Sequence, residues 1–259
     1  MNVYAWNFEP GLIMALTLLT AGYFLITGPL LRRWQLEPAT QVERNRFLLA
    51  MVLMIVALVS PIDTLSLVSL SMHMVQHLIL MIPVAILLIG SIPASLGSVL
   101  FRNGSVLAIA QAIFNPVAVL VISNAILIGW HVPANYDLAV RDQNVHVLEH
   151  VMFIVGAFLS WWPVYSQLPQ LPRSTPGALM IYLFFMSIPP TIIGALLTFA
   201  GFVVYPAYEG VARPWGMTAQ ADQELAGLIM WLFGGLIYFA VLTVIFFRWF
   251  NRPGDDSSV

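Results

Sequence analysis

Five histidines carry most of the chemistry open to this chain. They are His73 and His77 in HMVQH, His131 in WHVP, and His146 and His150 in HVLEH. Residues i and i+4 share one face of a helix, one turn apart, so each pair presents two imidazoles together. The pairs also match at their fourth position, Gln76 in one and Glu149 in the other. Either side chain can accept a hydrogen bond from an imidazole N–H and set its tautomer, a common supporting role around a metal. A single histidine in an apolar helix is explained equally well by an interhelical hydrogen bond. Two matched pairs read better as a site, because ionisable groups inside membrane spans are costly and mark function by default.

The surroundings of these histidines are apolar. Of the 259 residues, 60% are hydrophobic and 8% charged, where a soluble domain carries roughly 25% charged residues. The composition is that of an all-α, polytopic membrane helix bundle. There is no cysteine, which excludes a disulfide framework, a thiolate metal site and cysteine redox chemistry. All basic residues are arginine, so a retinal Schiff base, which needs a lysine amine, is excluded too. Imidazole, carboxylate and thioether remain as ligands. Met72, Met74 and Met152 flank the histidines in sequence, with Met217 and Met230 further on. Thioether favours Cu(I), although methionine in apolar helices is usually packing. The N-terminus, MNVYAWNFEP, has no basic segment, and no cleaved signal peptide is expected.

Apolar runs predict seven spanning helices in one domain, 1–259: at 11–31, 47–60 extended by its flanks, 67–90, 116–130, 145–164, 177–200 and 225–250. The short run 104–114 reads as an interfacial lead-in to the fourth. Pro189-Pro190 should kink the sixth helix, and Gly227, Gly234 and Gly235 should let the seventh pack closely. Arg32, Arg33, Arg44, Arg46, Arg102, Arg173, Arg248 and Arg252 fall on one side of this topology, against Arg141 and Arg213 on the other. The positive-inside rule therefore predicts the N-terminus outside and the C-terminus in the cytoplasm. All five histidines then gather near the outer face. His131 ends the fourth helix, which Pro133 stops, and Asp137 and Asp142 occupy the following loop. Asp222 and Glu224 open the seventh helix on the same side. There a carboxylate suits the helix dipole, or completes a cation site.

Imidazoles with optional thioether suit copper, zinc or haem iron, whereas Mg and Ca prefer oxygen. A b-type haem electron carrier, with one axial histidine from each pair, is the alternative to a bare ion. HVLEH also has the H-x-x-E-H form of a zinc hydrolase, with Glu149 as base. A channel or transporter has little behind it beyond mid-span Asn124 and Thr191.

Taken together, HMVQHLIL, WHVPANYDLAV, HVLEHVMF followed by WWPV, and DQELAGLIMW resemble the seven-helix CtaG family of cytochrome c oxidase assembly factors. This is the polytopic type, not the single-span copper chaperone that sometimes shares the name. The resemblance runs from the third helix to the start of the seventh. It implies a protein of the bacterial cytoplasmic (inner) membrane that is not an enzyme. It implies a partner in the catalytic subunit of cytochrome c oxidase, with membrane lipid around the chain and no nucleic acid. The cargo implied is copper, as Cu(I), for the Cu-B centre. Position by position, it makes His73, His77, His131, His146 and His150 the metal candidates and Asp222 a participant. Gln76, Glu149, Met72 and Met74 stand as accessory candidates from the reading of the residues.

Overall fold

The computed structural model describes residues 4–251, so Arg252 of the arginine count lies outside the described residues. Among the described residues there is helix and loop and no strand. The elements that position the site are α1 (Pro10–Arg33), α2 (Gln41–Leu58), α3 (Pro61–Ser66), α4 (Leu70–Ile89), α5 (Gly104–Ile113), α6 (Pro116–His131), α7 (Pro133–Arg141), α8 (Gln143–Tyr165), α9 (Pro176–Phe199) and α10 (Ala219–Phe250).

Their starts are written locally. Glu9 caps α1, Thr40 and Glu43 form a capping box on α2, and Ser60, Ser69, Asn115, Asp142 and Thr218 cap α3, α4, α6, α8 and α10. Each supplies a side-chain oxygen to backbone N–H groups that have no partner within the helix. Asp142 is thereby accounted for as a cap.

Five helices are long and apolar enough to cross a membrane: α1, α4, α8, α9 and α10. The pair α5 and α6 becomes a sixth if taken as one span, bent by 59° where Asn115 and Pro116 start a new helix. The span expected at 47–60 is the apolar end of α2, whose first two turns carry Glu43, Arg44 and Arg46. Large apolar side chains such as Phe184, Leu196, Phe199, Phe239 and Phe247 are exposed on the outer faces of α9 and α10. In water such a surface would aggregate; here it meets lipid. The chain is a multi-pass membrane protein.

Helix α8 is the axis, with 61% of its span buried against 11% for α1 and α10. It packs against α4, α6 and α7. Helices α9 and α10 touch backbone to backbone. A Cβ on Gly194 would lie 2.7 Å from Cβ of Trp231 and 2.9 Å from the carbonyl oxygen of Gly227. Gly227 thus packs closely as expected. Gly234 has no such neighbour, and Gly235 meets only Thr191 Oγ1, at 3.8 Å.

Helix α9 continues without interruption through Pro189-Pro190. The irregularities fall elsewhere, as π-helical turns at Ile26–Leu30, Leu80–Val84 and Ile229–Phe233, in α1, α4 and α10. Pro29 and Pro83 lie inside the first two. Proline lacks the N–H an α-turn needs, and a wider turn accommodates that gap.

The two ends of the bundle differ. At one end Arg46 and Gln167 donate to the Gly90 carbonyl, Tyr23 to Ser91, and Arg173 to Ser166. The other end gathers α3, the start of α4, the end of α6, α7, the start of α8 and the loop around Tyr205 and Tyr208. All five histidines are at that second end, together with Arg141 and Arg213.

Candidate metal centre

Two helix starts build the centre. Ser69 caps α4, so His73 and His77 fall in its first two turns, facing α8. Asp142 caps α8 and sets His146, Glu149 and His150 on the face turned to α4. All five side chains are buried. Ring centroids lie 4.2 Å apart for His73 and His77, and 4.4 Å for His146 and His150. Across the helices they lie 5.4 Å apart for His77 and His150 and 5.8 Å for His73 and His146.

The ligand atoms fall into two triads, His73–His77–Glu149 and His146–Glu149–His150, each with its atoms within 4.8 Å of one another. Glu149 belongs to both. The Nε2 atoms of His73, His77, His131, His146 and His150, and both oxygens of Glu149, are buried without a hydrogen-bond partner. His73 Nε2 and Glu149 Oε1 stand 3.9 Å apart, beyond hydrogen-bond length. Each orphaned buried polar atom costs about 1–3 kcal/mol. Such a concentration is expected where the atoms serve something other than each other.

Two tautomers follow from the backbone. Nδ1 of His150 lies 3.0 Å from the His146 carbonyl oxygen, and Nδ1 of His131 lies 2.8 Å from that of Leu127. A carbonyl only accepts, so both Nδ1 atoms carry the proton. Nε2 then holds a free lone pair, the form a metal ligand needs. The helix carbonyl one turn back does the work expected of Gln76 and Glu149. Gln76 instead donates to the Ala57 carbonyl and to Asp63 Oδ1, both at 2.9 Å, tying α4 to α2 and α3. Glu149 stands among the ligand atoms themselves.

Asp222 is taken up in a different task. Its carboxylate accepts from Leu70 N at 2.7 Å, from Ser69 Oγ at 2.8 Å, and from Ser71 N and Oγ. Arg213 closes the cluster with Nε 3.2 Å from Oδ2. Asp222 therefore caps α4 from α10. Glu224 accepts from Gln220 on the exposed side of the same helix. Met72 is half-buried beside His73, while Met74 faces inward. Met152 lies on an outer groove with Gly129 and Trp130, apart from the histidines.

His131 lies at the same end but in neither triad; its ring is 6.0 Å from Phe153 and 6.5 Å from Tyr136. Three tyrosines roof the cluster. Tyr136 stacks on Tyr205 at 4.0 Å and lies 5.3 Å from His73. Tyr205 donates to the His131 carbonyl and Tyr208 to that of Ser66. Burial raises the pKa of all three hydroxyls, so they stay protonated. No role for this roof or for Asp63 was read from the sequence, although Tyr136 lies within WHVPANYDLAV and Tyr205 and Tyr208 form YPAY. A cavity of about 320 Å³ beside the second triad is lined by Asn7, Glu9, Asp63, Gln143, His146 and His150 among apolar residues. Asp63 accepts from Asn7 and Gln76. Burial raises its pKa, with these two donors opposing the shift.

A family profile described as cytochrome c oxidase caa3 assembly factor (Caa3_CtaG) matches residues 21–252. The chain belongs to this family. The caa3 assembly-factor match takes in both histidine pairs, His131 and Asp222, and also α2 and the second half of α1, where no motif was recognised in the sequence. No curated protein and no solved structure gives a significant match. In a caa3 assembly factor, a cluster of free imidazole lone pairs with one carboxylate has the donor set for a first-row transition ion. It lacks the all-oxygen shell that Mg or Ca would take.

Proposed function

We propose that this cytochrome c oxidase assembly factor holds copper between α4 and α8 and passes it to the Cu-B centre of the oxidase catalytic subunit. The carrying observation is the convergence of orphaned Nε2 atoms on the orphaned carboxylate of Glu149. Lone pairs already grouped around one shared carboxylate bind an ion with little reorganisation. Neutral imidazoles with one carboxylate leave a copper ion exchangeable. Delivery is ligand exchange, with no covalent step asked of the protein.

The arginine asymmetry between the two ends supports an N-terminus outside, a C-terminus in the cytoplasm and histidines at the outer face of a bacterial inner membrane. Counting α2 and the bent α5–α6 pair gives the seven spans of this topology. The cavity beside His146 and His150 then opens toward the outer side, with Glu9 and Asp63 along it to attract a cation.

Metal analysis of purified protein tests the reading. Wild type should carry copper, and His73→Ala/His77→Ala and His146→Ala/His150→Ala should each lose it. Copper no higher in wild type than in both variants would sink the proposal. The haem alternative would have to fit a flat macrocycle between imidazoles 5.4 to 6.1 Å apart across the helices, each packed 4.2 or 4.4 Å from a second imidazole on its own helix, and this crowding favours a bare ion. A Soret band from haem-replete cells would reverse that preference.

A further inference from the structure

His131 has an orphaned Nε2 but no place in either triad. It lines a separate cavity of about 60 Å³ between α4, α6, α9 and α10. His77, Met74, Met81 and Met230 line it too, and the remaining walls are apolar apart from Tyr238, with no carboxylate. We propose that this cavity is a second Cu(I) site of thioether and imidazole donors, sharing His77 with the first triad. The proposal rests on the copper reading above and extends it to a second station.

The size selects the ligand class. One water needs about 10–15 Å³, so the cavity admits a small ion and excludes an organic cofactor. The chemistry selects the ion. Every donor is neutral, and a divalent charge among apolar walls without a carboxylate would be uncompensated. A soft monovalent ion is matched by thioether and imidazole. His131 is preset for it, because the Leu127 carbonyl holds the proton on Nδ1 and leaves the Nε2 lone pair free.

Methionine as packing predicts a different picture. A flexible thioether fills gaps, yet here three of them surround one. Met81 and Met230 also lie inside the π-helical turns of α4 and α10. Such turns are rare and concentrate at functional sites, and these two meet at one cavity. His77 belongs both to a triad and to this wall. One imidazole can therefore stay bound while an ion exchanges the carboxylate and histidine of the triad for thioether.

The experiment uses the full chain in detergent, loaded anaerobically with Cu(I) and read by X-ray absorption at the copper edge. Wild type should show sulfur neighbours. Met74→Leu/Met81→Leu/Met230→Leu should lose them, with Zn(II) binding by the histidine–carboxylate cluster unchanged. Wild type without sulfur neighbours overturns the proposal, as does a folded triple variant that keeps them. If the triple variant does not fold, selenomethionine-labelled wild type gives the answer. A copper neighbour at the selenium edge supports the site and its absence removes it. The two readings separate cleanly. Copper lost from His146→Ala/His150→Ala, with no sulfur neighbour in wild type, leaves the first site standing and removes the second. Sulfur neighbours in both proteins, with no copper lost, remove the first.

Discussion

Replacing Asp222 by alanine should be among the most damaging single changes in this protein, although Asp222 touches no candidate ligand. Its carboxylate caps α4 through Leu70 N and Ser71 N and neutralises Arg213, with both ion-pair side chains almost fully buried. Loss of the cap alone costs about 1 kcal/mol. The stranded guanidinium adds more: breaking a buried ion pair from one side costs about 3–5 kcal/mol. Arg213 keeps hydrogen bonds to the carbonyls of Tyr208 and Val211, and Ser69 and Ser71 lie within hydrogen-bond distance of each other. These retained bonds put the expected loss near the lower bound, about 3 kcal/mol. Removing the charge as well, in Asp222→Ala/Arg213→Met, should recover part of it, because no ion is then left unpaired. The assay is an unfolding titration in detergent at fixed pH, run as a double-mutant cycle. Metal affinity should fall in Asp222→Ala, since the first turn of α4 carries His73. A loss below about 1 kcal/mol, with the two substitutions additive, would refute the clamp and return Asp222 to the list of direct metal participants.

Glu149→Gln removes a carboxylate with no partner of its own, so stability should hold or rise while copper affinity falls about tenfold or more; equilibrium dialysis beside a melting curve checks both signs. Gly227→Ala forces a Cβ against the Gly194 carbonyl and Thr198. Such overpacking should cost about 1–3 kcal/mol, read as a lowered melting temperature; no change would mean that α9 and α10 are not in backbone contact. The raised pKa of Asp63 means that its protonated form is the one the fold favours. Its contribution is fully present below the ordinary carboxylate range and lost as pH rises through the raised value. Asp63→Asn should therefore flatten the stability–pH curve in that window, and an unaltered slope would contradict the shift.

The histidine pairs were legible because i,i+4 spacing is a local rule, and the spans because lipid demands apolar length. Arginine placement also marked which loops share an end. The rest depended on partners distant in sequence. Asp222 read as a cap for its own helix, yet its partners are about 150 residues away, at Ser69, Leu70 and Ser71. Gln76 looked like the counterpart of Glu149, but residues one apart on a helix point about 100° from each other. Position 76 faces α2 and α3, while position 77 faces α8. Proline positions were visible but not their outcome: Pro189-Pro190 sits in unbroken helix, while Pro29 and Pro83 lie in π-helical turns.

Glu149 belongs to both triads, so the two cannot fill as independent seats. An ion arriving first can take the only negative charge in the cluster. A second must either share that charge or settle for imidazole alone. Under the copper proposal loading would be stepwise, with the second ion held more loosely than the first and released before it.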